Sequence, residues 1–285
     1  MSEIQRSIQL RRMVDADLPA ALALTQQQRW SHRAHDWQLH FRLGRGWIAA
    51  DCNGTIVGTT LWWDYGAALG CIGLVVVSDH HQGQGIGRQL MNAAMSDAAP
   101  RALQLVATTA GLKLYQHCGF HIVGGIEQHQ GIAASHAPPP LPAGVTQSAM
   151  VASDLGALCA LDQRALGADR STVLRAILGE GAGVLAVAAG HIVAYALQRT
   201  AGAGLTIGPV VAADQELAIA LISHQLRQCA TTARVDAPAD ATRITQWLDR
   251  VALPCIDRVN LMLRGSQPQR APDARIFGLA SQALG

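Results

Sequence analysis

The residues best suited to chemistry lie at positions 72–91, where an apolar, β-branched run is followed by Gly83, Gly85 and Gly87 and then by a helix-like segment. The apolar run predicts a buried strand, so the glycines form the turn between that strand and a helix. Backbone N–H groups at a helix N-terminus lack intrahelical acceptors and carry partial positive charge, and glycine lets a phosphate approach them closely. This pattern indicates a binding site for an anion.

The spacing of the glycines excludes two common nucleotide-binding motifs. A dinucleotide fingerprint that starts at either of the first two glycines requires glycine at position 88 or 90, but these positions hold Arg88 and Leu90. A P-loop requires lysine followed by serine or threonine, and the stretch contains no lysine. The pattern that remains is Gln82-x-x-Gly85-x-Gly87, directly after a strand.

This pattern resembles the acyl-CoA pyrophosphate loop of the GNAT superfamily of N-acetyltransferases, in particular of its two-domain bacterial members. The resemblance implies acetyl-CoA as the cofactor and acyl transfer as the reaction, in which an amine attacks the thioester and CoA leaves as a thiolate. It also implies that the backbone of the central strand pairs with pantetheine, while the loop amides hold the pyrophosphate. The implied cofactor-binding residues are Val75, Val76, Val77, Gln82, Gly83, Gln84, Gly85, Ile86, Gly87 and Arg88.

A second motif, Leu114-Tyr115 followed by Gly119-Phe120, resembles the last motif of the same family. In that family a tyrosine near the CoA sulfur protonates the leaving thiolate. By resemblance, Tyr115 is the catalytic acid, and a phenol with a pKa of about 10 suits this role when it is held in position. The alternative is that Tyr115 only packs its helix.

The general base and the acceptor contacts are less well defined. The central strand carries no carboxylate, so Asp64, His80 and His81 are the alternatives for the base. The resemblance places the second helical stretch beside the acceptor, where aromatic rings can hold an apolar or cationic amine. We therefore expect Trp37, Trp63, Asp64 and His81 at the acceptor site, although core packing is the usual role of tryptophan.

Hydrophobic patterning and turn residues predict the elements that position these residues. The predicted order is a strand (8–13), two helices (17–24 and 30–43), a hairpin (47–50 and 56–63), the central strand with its loop and helix, a strand (103–107), a short helix with its turn (111–120) and a last strand from 122. This order matches the GNAT fold. The predicted class is therefore a mixed α/β fold, with a mostly antiparallel, twisted sheet flanked by helices.

The chain repeats itself after a proline-rich segment at 135–144, which cannot continue a helix or a central strand. Residues 154–161 repeat 17–24 at an offset of 137 positions, and residues 207–214 echo 72–79 at an offset of 135. Chance similarity between alanine-rich segments is the alternative. The predicted organisation is a tandem pair: a GNAT acetyltransferase domain at 1–134, a linker at 135–146 and a degenerate GNAT-like domain at 147–285.

The second copy lacks the chemistry of the first. Ala218, Ala220 and Ile222 stand where the first copy has its glycines, and their side chains disfavour close approach of a phosphate. Gln246-Trp247 replaces the pair that contains the tyrosine. We therefore expect the second domain to bind no CoA and to have a structural role or to form part of the acceptor pocket.

Composition limits the partners and the location. The chain has 285 residues, enough for two domains, and its net charge of +2 with scattered basic residues gives no reason to expect a nucleic-acid partner. The longest apolar run, 184–197, contains His191 and is too short to span a bilayer, and the charged start, including Glu3 and Arg6, does not resemble a secretory signal. We expect no membrane association and a cytoplasmic location.

Two sets of residues could bind metal or form disulfides, and neither is expected to do so. The six cysteines form no C-x-x-C pair and are expected to be reduced. His32, His35, Asp36 and His40 are close in sequence, but no partner cluster completes a zinc site, so we expect no metal.

The predicted function is acetyl-CoA-dependent N-acetylation of a small-molecule amine by direct attack. Two alternatives are a non-catalytic acyl-CoA-binding or sensing protein and a protein or peptide acetyltransferase. A homodimer is compatible with these features.

Overall fold

The computed structural model describes residues 8–285. In its N-terminal half the elements are β1 (Gln9–Arg12), α1 (Leu18–Gln27), α2 (Ala34–Leu43), β2 (Arg45–Ala50), β3 (Ile56–Tyr65), β4 (Leu69–Val77), α3 (Ile86–Ala98), β5 (Ala102–Ala107), α4 (Leu112–His117) and β6 (His121–Gly131). Their order is the predicted one. The charged residues Glu3 and Arg6, used above to argue against a secretory signal, lie outside the described residues.

The second helix begins later than predicted. Residues 30–33 are not helical, and α2 starts at Ala34 because the Asp36 carboxylate accepts a hydrogen bond from the Arg33 amide at 2.8 Å. An acidic side chain in this position satisfies an amide that has no intrahelical acceptor. The connection between α1 and α2 is therefore long enough to carry His32 to the space between the two halves of the chain.

The C-terminal half repeats the same order of elements and adds one strand. Its elements are β7 (Val145–Ala149), α5 (Leu155–Leu166), α6 (Ser171–Glu180), β8 (Gly181–Ala188), β9 (His191–Ala201), β10 (Gly204–Ala212), α7 (Gln215–Leu226), β11 (Ala233–Pro238), α8 (Thr242–Arg250), β12 (Cys255–Arg264) and β13 (Arg275–Gly278). The strand β13 has no counterpart among the described elements of the first half. The repeat seen in the sequence is thus a repeat of structure.

The two halves share one sheet. Its strand order is β1-β2-β3-β4-β5-β12-β6-β11-β10-β9-β8-β7, with β13 beside β10. Strand β12 lies between β5 and β6, so that Asn260 pairs with Ala107 on one side and with Gly125 on the other. In the same way β6 pairs with β11, where His129 faces Val235. Each half therefore places its sixth strand, β6 or β12, beside the fifth strand of the other half, β11 or β5.

Strands β4 and β5 separate near the middle of the sheet. They pair in parallel only where Leu69–Cys71 faces Ala102–Gln104. A bulge then shifts the pairing of β4 with β3, and Leu74, within it, has a φ of 52°. A bulge bends its strand, and residues 72–77 consequently have no strand partner on the β5 side within the described part of the chain. This gap opens into a cavity.

The core and the last residues of the chain join the halves further. One hydrophobic cluster contains Trp63 and Leu69 from the first half together with Leu174 and Tyr195 from the second. Residues 279–285 cross to the first half, where the Tyr65 hydroxyl donates to the Leu284 carbonyl at 2.5 Å. No helix among the described residues has both the length and the apolar character needed to cross a membrane.

Candidate active site

A cavity of about 840 Å³ lies between the two halves. The first half contributes the glycine loop, the free edge of β4, the start of α4 and the connection between α1 and α2. The second half contributes the end of β9, the start of β10, part of β11 and residues 281–283. A ligand in this cavity would therefore contact both copies of the repeat.

The glycine loop presents bare backbone to the cavity. Gly83 and Gly85 have φ values of 75° and 78°, and apart from the adjoining residues no described residue has an atom within 4 Å of the position a Cβ would occupy at either glycine. Gly85 immediately precedes α3, and no side chain among residues 8–285 caps this helix. The amides of the first turn, from Ile86 to Arg88, therefore have no intrahelical acceptor. Such an N-terminus is suited to hold a phosphate group.

The predicted cofactor residues gather at this place with one exception. Nine of the ten line the cavity: Val75, Val76, Val77, Gln82, Gly83, Gly85, Ile86, Gly87 and Arg88. Gln84 is not among the lining residues, and its side chain donates to the His80 carbonyl at 3.4 Å. Gln82 donates to the Val77 carbonyl at 3.2 Å and to the Asp79 carboxylate at 2.9 Å, which ties the loop to the end of β4.

Tyr115 lines the same cavity from α4. Its side chain is 7% exposed and its ring contacts Phe120 edge to face, with 6.3 Å between the ring centroids. Burial, with a smaller contribution from Cys118, raises the pKa of the Tyr115 phenol. The phenol therefore stays protonated near neutral pH, which is the state a general acid requires.

Three of the residues expected at the acceptor site lie elsewhere. Trp37 and Trp63 are fully buried in the core, where Trp37 donates to the Thr25 hydroxyl at 3.1 Å and Trp63 to the His40 carbonyl at 2.9 Å. Asp64 is exposed and pairs with Arg101 at 2.9 Å. None of the three lines the cavity. Trp37 lies on the face of α2 that packs against the core, and Trp63 lies on the face of β3 that does so.

The histidines beside the loop differ in position. His81 lines the cavity, and its Nδ1 is buried without a hydrogen-bond partner among the described residues, whereas His80 is exposed and does not line it. The structure thus brings Tyr115 and His81 to one cavity with the glycine loop.

The sequence suggested His32, Asp36 and His40 only as metal ligands, but all three line this cavity. Burial lowers the pKa of His32 to about 4 and that of His40 to about 3, so both imidazoles are neutral at pH 7. Asp36 faces Arg199 of the second half at 3.3 Å. His35, the fourth residue of the set, instead contacts Glu180 at 3.0 Å.

A different set of side chains has the composition of a metal site. Among residues 8–285, ligand-type atoms of Glu127, His129 and Cys255 lie within 4.8 Å of one another. Arg258 donates to the Glu127 carboxylate at 3.0 Å and so occupies one of its oxygens. Glu127 and His129 alternate along β6 with Gln128 and Gln130, which line the cavity, so this group faces away from it.

The second half has no comparable opening at the matching position. Strands β10 and β11 also pair over only two residues, but β13 occupies the gap, with Val210 opposite Gly278. The Asp214 carboxylate caps α7 by accepting from the Leu217 amide at 2.9 Å. A capped, negatively charged helix start and a filled gap both oppose binding of a phosphate-bearing ligand.

Comparisons with known proteins agree with this arrangement. Two models described as an acetyltransferase (GNAT) domain match residues 43–122 and 158–278. The uncharacterized N-acetyltransferase YitH of Bacillus subtilis is 28% identical over 222 residues, which cover 76% of this chain and 77% of YitH.

Solved structures show the same fold over nearly the whole chain. A Pyrococcus horikoshii protein described as an acetyltransferase has a TM-score of 0.78 at 18% identity, with coverage of 100% of this chain and 98% of that chain. A tandem GNAT protein from the clavulanic acid biosynthesis pathway has a TM-score of 0.64 at 15% identity, with coverage of 92% and 100%. Because both halves match the family, the chain belongs to the GNAT superfamily and is a two-domain N-acetyltransferase.

Proposed function

We propose that this protein transfers the acetyl group of acetyl-CoA to the amine of a small molecule held between its two halves. The observation that carries the proposal is that the uncapped start of α3, the free edge of β4 and Tyr115 all face one cavity. Acetyl-CoA supplies an activated thioester when it is bound. The space beside Gly83 and Gly85, where other residues would carry a Cβ, is open. The pyrophosphate of acetyl-CoA can therefore approach the backbone of this loop closely.

The residues of the first half bind and orient the donor. The amides of Ile86, Gly87 and Arg88 hold the pyrophosphate, and the Arg88 guanidinium adds a charge-assisted contact. The backbone of Val75, Val76 and Val77 along the free edge of β4 pairs with the amides of pantetheine. The amine attacks the thioester directly, so the reaction needs no covalent intermediate with the protein. Holding the thioester in a fixed position therefore provides most of the rate acceleration.

Proton transfers balance the reaction. As the C–N bond forms and the C–S bond breaks, the Tyr115 phenol gives its proton to the departing sulfur. The proton lost by the amine passes to the imidazole of His81, which lines the cavity beside the glycine loop.

A small acceptor, rather than a protein, is supported by how the cavity is bounded. Residues of the second half, including the segment 281–283, line the cavity together with the glycine loop. The second half then acts as the wall of the acceptor site and binds no CoA. A cytoplasmic location is part of the proposal and is supported by the six cysteines, all of which are free.

The proposal is tested by measuring thiol release from acetyl-CoA with a panel of small amines and, separately, lysine-containing peptides. We expect release to require a small amine and to yield the N-acetylated amine by mass spectrometry. Binding of CoA without release with any amine would indicate a non-catalytic acyl-CoA-binding protein, and faster release with peptides would indicate a peptide acetyltransferase. Either result would contradict the proposal.

A further inference from the structure

Arg199 is a buried cation at the acceptor side of the cavity. It lies on β9 of the second half, its side chain is 2% exposed, and it lines the cavity. Within the described part of the chain it makes one side-chain hydrogen bond, from Nη1 to the Asp36 carboxylate at 3.3 Å. Its Nε is buried without a partner. A guanidinium has five N–H donors, so most of its capacity to donate is unused.

A second buried arginine in the same chain shows what a satisfied guanidinium looks like. Arg170 donates from Nε and Nη2 to the two oxygens of Asp162 at 2.9 and 2.8 Å, and from Nη1 to the Gly285 carbonyl at 2.7 Å. The pKa of Arg170 is raised by its partners, whereas burial lowers that of Arg199. Buried charges in proteins are normally paired and hydrogen-bonded, and Arg170 follows this rule while Arg199 does not.

Asp36 does not satisfy the remaining N–H donors of Arg199. Its second oxygen accepts hydrogen bonds from the backbone amides of Arg33 and Gly202 at 2.8 and 3.1 Å, so the carboxylate is already held by three donors. The guanidinium of Arg234, on the neighbouring part of the second half, also lines the cavity but is committed to Asp236 through hydrogen bonds of 2.8 to 3.1 Å. The free donors of Arg199 thus remain available to a ligand.

We propose that Arg199 is the binding subsite for an anionic group, a carboxylate or a phosphate, on the acceptor amine. This inference rests on the proposed function for the role of the amine. Both groups accept two parallel hydrogen bonds from the edge of a planar guanidinium, and both would supply acceptors for the donors of Arg199 that lack a partner. The first half would then hold the donor, and a cation of the second half would select the acceptor.

The test uses amines in matched pairs: an L-amino acid with its carboxamide, and phosphoethanolamine with ethanolamine. In the full-length protein we expect one anionic member to give at least a tenfold higher kcat/KM than its uncharged partner. The responding pair identifies carboxylate or phosphate. In Arg199→Gln this preference should disappear, while the KM for acetyl-CoA stays unchanged. Arg227→Gln, which removes an exposed arginine of the same half, should retain the preference.

A second readout does not depend on turnover. With CoA present, the anionic amine should raise the Tm of the unmodified protein more than its uncharged partner does, and Arg199→Gln should lose this difference. If Arg199→Gln fails to fold by circular dichroism, Arg199→Lys should fold and show a smaller preference, because lysine keeps the charge but not the planar fork. The inference is overturned if neither pair shows a preference, or if the preference survives in the variant. Absence of thiol release with every amine would instead overturn the proposed function, and the Tm arm would still decide the role of Arg199.

Discussion

Tyr115 illustrates how a single side chain joins the core to the reaction. Its ring belongs to a hydrophobic cluster with Met91, Leu105 and Phe120, and it also lines the cavity that contains the glycine loop. Packing fixes the ring, and burial keeps the phenol protonated by raising its pKa. The side chain that packs into this core therefore also faces the cavity, where we propose that it acts as the proton donor.

Replacing Tyr115 with phenylalanine removes this donor and leaves the packing nearly unchanged. We expect kcat to fall about tenfold or more, because positioned acid catalysis is lost, while the affinity for CoA is retained. Steady-state kinetics with isothermal titration of CoA separate the two effects. Unchanged turnover would assign Tyr115 a packing role only.

His40 makes the stability of the protein depend on pH. It is 1% exposed, both ring nitrogens lack a partner among the described residues, and burial, together with His32 and Arg199, lowers its pKa to about 3 despite the opposing effect of Asp36. Between this value and the unfolded value of about 6.5, the unfolded chain binds a proton that the folded chain does not. Stability must therefore fall as the pH drops below about 6.5, by up to about 1.4 kcal/mol per pH unit for this histidine.

The variant His40→Phe should reduce this pH dependence without loss of stability at pH 7, because it replaces two unpartnered nitrogens with an apolar ring of similar shape. Urea unfolding at pH 7 and pH 5 measures the change. His191→Gln, at an exposed position, serves as the control and should keep the unmodified slope. An equal pH slope in His40→Phe would show that His40 is not the titrating group.

At the scale of residues, the sequence best predicts those sites whose residues are close together in the chain. The loop glycines and Tyr115 were predicted from motifs only a few residues long, and the structure brings them to one cavity. Trp37 and Trp63 were misplaced because residue type does not reveal which face of a helix or strand meets a cavity. Arg199 and Asp36 are 163 positions apart, and only the folded chain brings them together.

At the scale of elements, two copies of one strand–turn–helix unit differ in what surrounds them. The gap beside β4 is open and α3 begins with an uncapped glycine, whereas β13 fills the gap beside β10 and Asp214 caps α7. The sequence predicted loss of binding in the second copy from its missing glycines. It gave no sign that another strand would fill the gap, because β13 lies far along the chain and is only four residues long.

The difference between the two units predicts the number of CoA molecules bound. Isothermal titration should give one CoA per chain, because only the first unit offers free amides and a free strand edge. The substitution Asp214→Ala should lower stability by about 1 kcal/mol through loss of the cap, yet create no second site because β13 remains. A stoichiometry of two would contradict this account of the second half.

At the scale of the molecule, the exchange of β6 and β12 makes each half incomplete without the other. The order of elements along the first half was predictable from hydrophobic patterning and turn residues, and the repeat extended it to parts of the second half. The pairing of β6 with β11 and of β12 with β5 was not predictable. The alternation of side chains along such a strand is the same whichever strand it pairs with. Domain boundaries drawn at the proline-rich linker therefore divide the sequence but cut through a continuous sheet.

Separated halves test this coupling. A fragment of residues 1–134 would leave β5 and both edges of β6 without their partners from the second half. We expect this fragment and the fragment of residues 135–285 to show no cooperative thermal transition alone, and to recover one when produced together. Circular dichroism and size-exclusion chromatography report the outcome. Cooperative unfolding of the first fragment by itself would show that the exchanged strand is dispensable.

The most direct test concerns the loop on which the function depends. Gly85 and Gly54 both have positive φ, 78° and 80°, and open space where a Cβ would lie, but only Gly85 lines the cavity. Aspartate at either position costs similar backbone strain, whereas at Gly85 it also places a negative charge at the predicted pyrophosphate site. By isothermal titration, Gly54→Asp should bind CoA like the unmodified protein, and Gly85→Asp should bind about a hundredfold more weakly or not at all. Equal affinity in the two variants would contradict the assignment of this loop to CoA.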